Sequence, residues 1–289
     1  MKFSLILCTV DRDKEVEEFL KSLSTQTYKN FELIVIDQNR DDRVKLIVER
    51  YRSLFPIKYF NVDFRGLSKA RNYGLRYVEG DIVAFPDDDC KYPPNLLETV
   101  KELFEEKKDY EIITGISLDE HTKNPSIGRW IDKNSEIKCT NILQTATSFT
   151  IFIKFKREEI LFFDEKLGVG SEFGSAEEMD YLFRLLKKGF KGFYYPEKVY
   201  VFHPQKGVSF ASKKDRERAY YYGLGLGAFF KKHFLKGKNL CLFYPFIRLF
   251  LIRPIGGMLL GLLKLDINMF LYYGNVFIGR WNGLIKYDE

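Results

Sequence analysis

Three aspartates stand side by side at Asp87-Asp88-Asp89, directly after the apolar run Ile82-Val83-Ala84-Phe85-Pro86. Adjacent carboxylates repel one another, so a triplet persists where solvent, donors or a cation offset its charge. A hard divalent cation, Mg2+ or Mn2+, suits it, because such ions take a few carboxylates and complete their shell with phosphate oxygens and water. Bound there, the ion would neutralise a diphosphate leaving group. The ordinary alternative is a solvated acidic turn. Asp37 and Gln38 follow a second apolar run; a carboxylate at that point can accept from a nucleobase N–H or a ribose hydroxyl, or merely cap the turn Asn39-Arg40-Asp41. Glu177 and Glu178 open a helical pattern, where acidic residues favour the first turn of any helix. Arg71 near a helix start can pair with a base or a diphosphate, or make a surface ion pair. His203 follows a short apolar run and is either structural or a metal ligand.

The elements that must position these residues follow from hydrophobic period. Residues 3–8, 31–36, 57–62 and 82–85 are apolar strand-like runs. Between them Val16, Phe19, Leu20 and Leu23 recur at helical spacing, Leu46, Ile47, Tyr51 and Leu54 mark a second helix stopped before Pro56, and Ala70, Tyr73, Gly74 and Tyr77 share a third face. Leu96, Leu97, Val100, Leu103 and Phe104 follow a Pro pair, and 112–116 continues the series. This β-α-β-α order predicts an α/β fold with a mostly parallel sheet and helices on both faces. Thr9, Asp37 and Asp87–Asp89 then share the C-terminal strand edge, where open α/β sheets bind ligands. Periodicity fades over 120–147; 149–155 reads as a strand, 164–175 as a glycine-rich loop able to close over a substrate, and Met179, Leu182, Phe183 and Leu186 as a helix face ending at Gly189. Residues 193–195 and 199–202 read as short strands.

The chain of 289 residues is long enough for one large domain with an appendage. Its four cysteines form no CxxC pair, which suggests neither a zinc site nor a disulfide framework and fits a reducing, cytoplasmic compartment. The start lacks a signal-peptide layout. The formal charge of +6 is uneven: residues 201–289 hold 14 Lys and Arg against 5 Asp and Glu, while the rest is slightly acidic. Because this basic stretch is also the most apolar, an anionic membrane surface fits it better than nucleic acid. Residues 240–263 are interrupted by Arg248 and Arg253, and the charge-free run beyond is shorter than the roughly 20 residues of a span. The reading is therefore amphipathic helices lying on a membrane, with packing on a partner as the alternative, and a division into 1–210 and 211–289. No phosphate-cradling Gly-x-x-x-x-Gly-Lys-Ser loop is present, nor the alternating ligands of an EF-hand.

Residues 3–13, 31–42, 66–74 and 81–97 resemble the inverting nucleotide-sugar glycosyltransferases of family 2, which have a GT-A fold, and the likeness covers roughly residues 1–205. The resemblance implies that Thr9, Asp37, Gln38 and Arg71 bind the nucleotide, with Gln38 standing where the family has an acidic residue. Asp87-Asp88-Asp89 is similar to the family's DxD motif: Asp87 and Asp88 would contact sugar and ribose, Asp89 would bind Mn2+ or Mg2+ with Asp87 close by, and His203 is a further candidate ligand. Glu177-Glu178-Met179-Asp180-Tyr181-Leu182-Phe183-Arg184 resembles the family's Glu-Asp-x-Asp-Leu-x-x-Arg, which makes Glu178 the expected base and Glu177 its fallback; locally, Asp180 and Arg184 form an i,i+4 pair. The implied activity is inverting transfer from a UDP-, GDP- or TDP-linked sugar to a saccharide or lipid-linked saccharide, in cell-surface polysaccharide synthesis at the inner membrane face. A sugar nucleotidyltransferase would need a glycine-rich loop after the first strand, which Cys8-Thr9-Val10-Asp11-Arg12-Asp13 lacks. A non-enzymatic membrane-associated nucleotide-binding protein would leave the acidic strand ends unused.

Overall fold

The computed structural model describes residues 1–128, 130–205 and 207–288. In chain order its strands are β1 (Phe3–Thr9), β2 (Phe31–Asp37), β3 (Ile57–Asn61), β4 (Ile82–Ala84), β5 (Ile112–Thr114), β6 (Ile116–Leu118), β7 (Ser135–Ile137), β8 (Ile151–Lys154), β9 (Gly192–Tyr194) and β10 (Tyr200–Phe202). The helices are α1 (Lys14–Ser24), α2 (Arg43–Tyr51), α3 (Leu67–Leu75), α4 (Leu96–Glu106), α5 (Glu177–Lys187), α6 (Lys213–Phe230), α7 (Phe243–Ile247), α8 (Arg253–Leu263) and α9 (Ile267–Lys286). By packing, the chain divides into two compact units: Met1–Arg65, Lys69–Phe162 and Tyr181–Lys206 form the first, and Gly66–Ser68, Phe163–Asp180 and Gly207–Glu289 the second.

The first unit is built on an eight-stranded sheet in the order β3-β2-β1-β4-β8-β5-β9-β7, with β10 and β6 paired beside it. β3, β2, β1 and β4 are parallel, as their helical crossovers require. The strand after the irregular stretch is shorter than expected, and β8 runs antiparallel to both β4 and β5. Strand alternation dresses both faces. Leu5, Leu7, Leu33 and Val35 join Val16, Phe19, Leu20, Leu23, Val44 and Val48 in one core, while Ile6 and Ile36 on the other face press against Gly74 of α3, where a Cβ would lie 2.6 Å from Ile6. α1 and α4 bury the residues their periodicity marked. α2 differs: Val44, Ile47 and Val48 are buried and Leu46 and Leu54 are exposed, so two leucines of the expected face belong to the solvent side. Cys8 and Cys90 are buried free thiols.

In the second unit α6 lies along α9, and Leu167, Phe173, Leu224, Ala228 and Tyr287 form its buried cluster. Ser212 and Asp266 cap α6 and α9 by accepting from Asp215 N and Met269 N. Residues 240–263 are helical without a break despite Arg248 and Arg253. At 24 residues and a mean hydropathy of 1.8, this stretch is long and apolar enough to cross a bilayer by length and composition, which its interrupting charges had argued against. The glycine-rich segment is well tied: Leu67 N donates to Val169 O at 2.9 Å, Ser68 Oγ to Leu167 O at 2.5 Å, and Gly168 N to Phe173 O at 2.8 Å. Gly168 and Gly170 have φ of 103° and 80°, a conformation that favours glycine.

Candidate active site

The parallel register places Thr9 beside Asp37 at the ends of β1 and β2, and a further bridge joins Cys8 to Asp87 just past β4. The three strand ends therefore reach one edge of the first unit. There the aspartate triplet is offset by donors from four other segments. Thr9 Oγ1 donates to Asp88 Oδ2 at 2.8 Å. Arg12 Nη1 contacts Asp88 Oδ1 and lies 2.9 Å from Asp89 Oδ2. Arg71, 1% exposed, places Nη2 at 3.2 Å from Asp87 Oδ1, which also accepts from Ser148 Oγ at 3.3 Å. His203 Nε2 stands 3.2 Å from Asp89 Oδ1, with its Nδ1 at 2.8 Å from Pro204 O and its ring stacked on Phe149. The ring is thus held by packing on one side and a carbonyl on the other, which fixes the face it turns to Asp89. Burial pushes the Asp88 carboxyl up to about 6, against the opposing pull of Arg12 and Thr9.

The end of β2 is satisfied differently. Asp37 is fully buried; its Oδ1 accepts from Asn39 N at 2.9 Å and Asn39 Nδ2 at 2.7 Å, and its Oδ2 from Tyr59 Oη at 2.7 Å. Burial, aided by that hydrogen bond to Asp37, pushes the Tyr59 phenol above its ordinary range, so it remains a donor. These contacts let Asp37 shape its turn at the strand end. Gln38 is 5% exposed, and its Oε1 has no hydrogen-bond partner among the described residues. A buried carbonyl oxygen without a donor is uncommon and invites one from a ligand.

Glu177 and Glu178 belong to the second unit, on the first turn of α5. Glu177 is 5% exposed and Glu178 is half-buried. The turn is entered through Ala176, whose φ of 72° places a non-glycine residue in the left-handed region. That conformation costs about 1–2 kcal/mol and persists only where the surroundings impose it. Asp180 is held by Lys232 and His233, while Arg184 Nη2 donates to Phe162 O.

Thr9, Asp87, Asp88, Asp89, Arg71 and His203 are thus gathered as the sequence suggested, with Asp37 and Gln38 on the neighbouring strand end. Arg12 was missed, although its place two residues before α1 and three beyond β1 puts it at the same edge. Among the described residues no group of three or more His, Cys, Asp or Glu is disposed as a metal cage.

The glycosyl transferase family 2 model matches residues 4–161. A GalNAc(5)-diNAcBac-PP-undecaprenol beta-1,3-glucosyltransferase of Campylobacter jejuni is 30% identical over 76% of this chain and 71% of its own length. The minor teichoic acid biosynthesis protein GgaB of Bacillus subtilis is 26% identical over 65% of this chain, which spans only 23% of that relative. Among solved structures, the mannosyltransferase PcManGT of Pyrobaculum calidifontis, in complex with GDP-Man and Mn2+, superposes with a TM-score of 0.71 at 16% identity, covering 99% of this chain and 88% of that one. Residues 1–349 of Staphylococcus aureus TarS, in complex with UDP-GlcNAc, give 0.60 at 16% identity, covering 98% and 91%. The fold is of GT-A type. The chain belongs to glycosyl transferase family 2.

Proposed function

We propose that this glycosyltransferase moves a sugar, with inversion, from a UDP-, GDP- or TDP-linked donor to a saccharide or lipid-linked saccharide acceptor in cell-surface polysaccharide synthesis. The observation that carries this is the convergence of Thr9, Arg12, Asp88, Asp89 and His203, from three separated stretches of chain, within hydrogen-bonding distance at one strand edge. The relatives support it: one is named for an undecaprenol-linked acceptor, and the solved neighbours hold UDP-GlcNAc or GDP-Man.

Mn2+ or Mg2+ fits the donor set, because a carboxylate oxygen and an imidazole nitrogen 3.2 Å apart leave most positions to phosphate oxygens and water. Asp89 and His203 would hold the ion, with Asp87 adjacent; when bound, it offsets the charge of the diphosphate. Thr9, Asp37 and Gln38 line the nucleoside end. Asp87 and Asp88 face ribose and sugar, and the Arg71 guanidinium, reinforced by Arg12, balances negative charge on the departing group. Glu178 takes the proton of the acceptor hydroxyl as its oxygen attacks the anomeric carbon opposite the leaving group. Glu177, the more buried of the pair, is the second candidate.

Residues 211–289 meet the membrane from the cytoplasmic side. Leu240, Phe243, Tyr244, Leu259, Leu263 and Leu265 are exposed, and the stretch carries the chain's basic surplus. This pairing of apolar and basic groups marks interfacial helices.

Thermal shift with UDP, GDP, TDP and CMP, each with and without Mn2+, tests the donor site. One nucleoside diphosphate raises the melting temperature more with Mn2+, and Asp89→Ala abolishes that increment. Glu178→Gln keeps donor binding and loses transfer. Stabilisation by none of the nucleotides, or full turnover in Glu178→Gln, overturns the corresponding assignment.

A further inference from the structure

Within the second unit a buried polar cluster ties the first turn of α5 and the segment before it to the C-terminal helices. Asp180 is fully buried, and its Oδ1 lies 2.8 Å from His233 Nε2 and 3.0 Å from Lys232 Nζ. The same lysine reaches Asp164 Oδ2 at 2.7 Å, and Tyr287 Oη also donates to that oxygen. Burial alone would raise the Asp164 carboxyl; Lys232 and Tyr287 outweigh it and hold it below its ordinary value. Consecutive residues on a regular α-helix point about 100° apart, yet Lys232 and His233 both reach one carboxylate oxygen. At this point α6 passes into a π-helical turn, Lys231–Lys236. Such turns recur at functional sites. The rest of the segment lies on the same helix: Leu167 and Phe173 pack with Leu224 and Ala228, Ser175 Oγ donates to Tyr222 O at 2.9 Å, and a Cβ on Gly225 would fall 2.2 Å from Ser175 O.

Asp180 is two residues beyond Glu178 on the same helical turn. We propose that Lys232 and His233 are positioning residues for the reaction: by gripping Asp180 they fix the strained turn that carries Glu177 and Glu178. The C-terminal helices are then part of the catalytic apparatus, not a detachable anchor. This rests on Glu178 as base. The energetic logic is that of a buried ion pair, which repays its desolvation only when geometry is fixed and every partner is present. A base displaced by about 1 Å loses on the order of 10²-fold in rate.

The test uses the full chain with Lys232→Met, Lys232→Arg, His233→Gln and Glu178→Gln. Hydrogen exchange is measured first, without substrate: Lys232→Met accelerates exchange at residues 175–181 while leaving β1, β2 and β4 protected. Unchanged protection at 175–181 overturns the proposal. Turnover is then read as nucleoside-diphosphate release from UDP-glucose, UDP-N-acetylglucosamine and GDP-mannose. In Lys232→Met the donor KM stays within about twofold while kcat falls on the order of 10²-fold, and Lys232→Arg recovers most of it. A Lys232→Met protein with accelerated exchange but wild-type kcat, beside an inactive Glu178→Gln, defeats the positioning role and spares the base. Full turnover in Glu178→Gln defeats the base, and the exchange data still decide whether Lys232 holds the turn. If Lys232→Met does not fold, the pair Lys232→Met with Asp164→Asn, which strands one fewer carboxylate, takes its place in both measurements.

Discussion

Gly283→Ala should destabilise the C-terminal helices, although alanine is the better helix former. Gly283 lies on α9, and a Cβ there would stand 2.0 Å from Leu224 O on α6. The contact is one of a set at four-residue spacing: a Cβ on Gly227 would meet Arg280 O at 2.2 Å, and one on Gly279 would meet Tyr220 O at 2.3 Å. Small residues spaced in this way let two helix backbones approach closely. An ordinary close C···O contact is about 3.3 Å, so one methyl group requires the backbones to part by roughly 1.3 Å. The obstacle is a backbone carbonyl, which cannot rotate aside as a side chain would. Overpacking of this kind costs about 1–3 kcal/mol, and the propensity gain returns up to about 1 kcal/mol. With a carbonyl only 2.0 Å away the cost sits at the upper end of that range, so the net loss is about 2 kcal/mol, or roughly 4–8 °C in melting temperature for a chain of this size. Gly274 supplies the control on the same helix, since a Cβ there meets nothing within 4 Å among the described residues. Gly274→Ala should gain up to about 1 kcal/mol from propensity alone. Melting of the three proteins by circular dichroism under one buffer condition checks both signs. Equal behaviour of the two variants, or a Gly283→Ala protein as stable as wild type, would refute the close-packed seam.

Three further outcomes are expected. Lys58 and Lys2 hold the Glu79 carboxyl down to about 2 from its ordinary 4.5; the folded value is the depressed one, so this stabilisation is present above pH 4.5 and fades as pH falls toward about 2. Acid titration of melting temperature should show a shallower loss over that window in Glu79→Gln, and the difference should shrink in high salt because the pair is exposed. Arg12→Gln removes the guanidinium shared by Asp88 and Asp89 and should destabilise the free protein by about 1–3 kcal/mol, with Mn2+ recovering a larger share in the variant than in wild type; calorimetry with and without Mn2+ decides. Arg248→Glu with Arg253→Glu should release the protein from anionic vesicles, and unchanged co-sedimentation would count against the membrane-facing assignment.

What could be read in the sequence and what could not divide along physical lines. β1, α1, β4 and α4 were legible because each is one period against one core face, and that period is local. Strand direction is not: the run ending in β8 is apolar throughout, and nothing in it distinguishes antiparallel pairing with β4 and β5 from another parallel strand. The face of α2 was misassigned because Leu46 and Leu54 are apolar yet exposed, and apolar residues are common on surfaces. Charge partners show the same limit. The triplet's need for an offsetting cation was plain from three adjacent carboxylates, but that Arg12 supplies part of it depends on a pairing 76 residues apart. For Asp180 the helix rule offered Arg184, four residues on, as partner. The buried carboxylate is gripped by His233, 53 residues on, and by the lysine preceding it. A local rule finds only the neighbours a helix provides. A fully buried carboxylate needs partners that are buried with it, and those come from whichever segment closes over it. Here that segment is the C-terminal helices, which a reading based on charge and hydropathy alone had set apart from the chemistry.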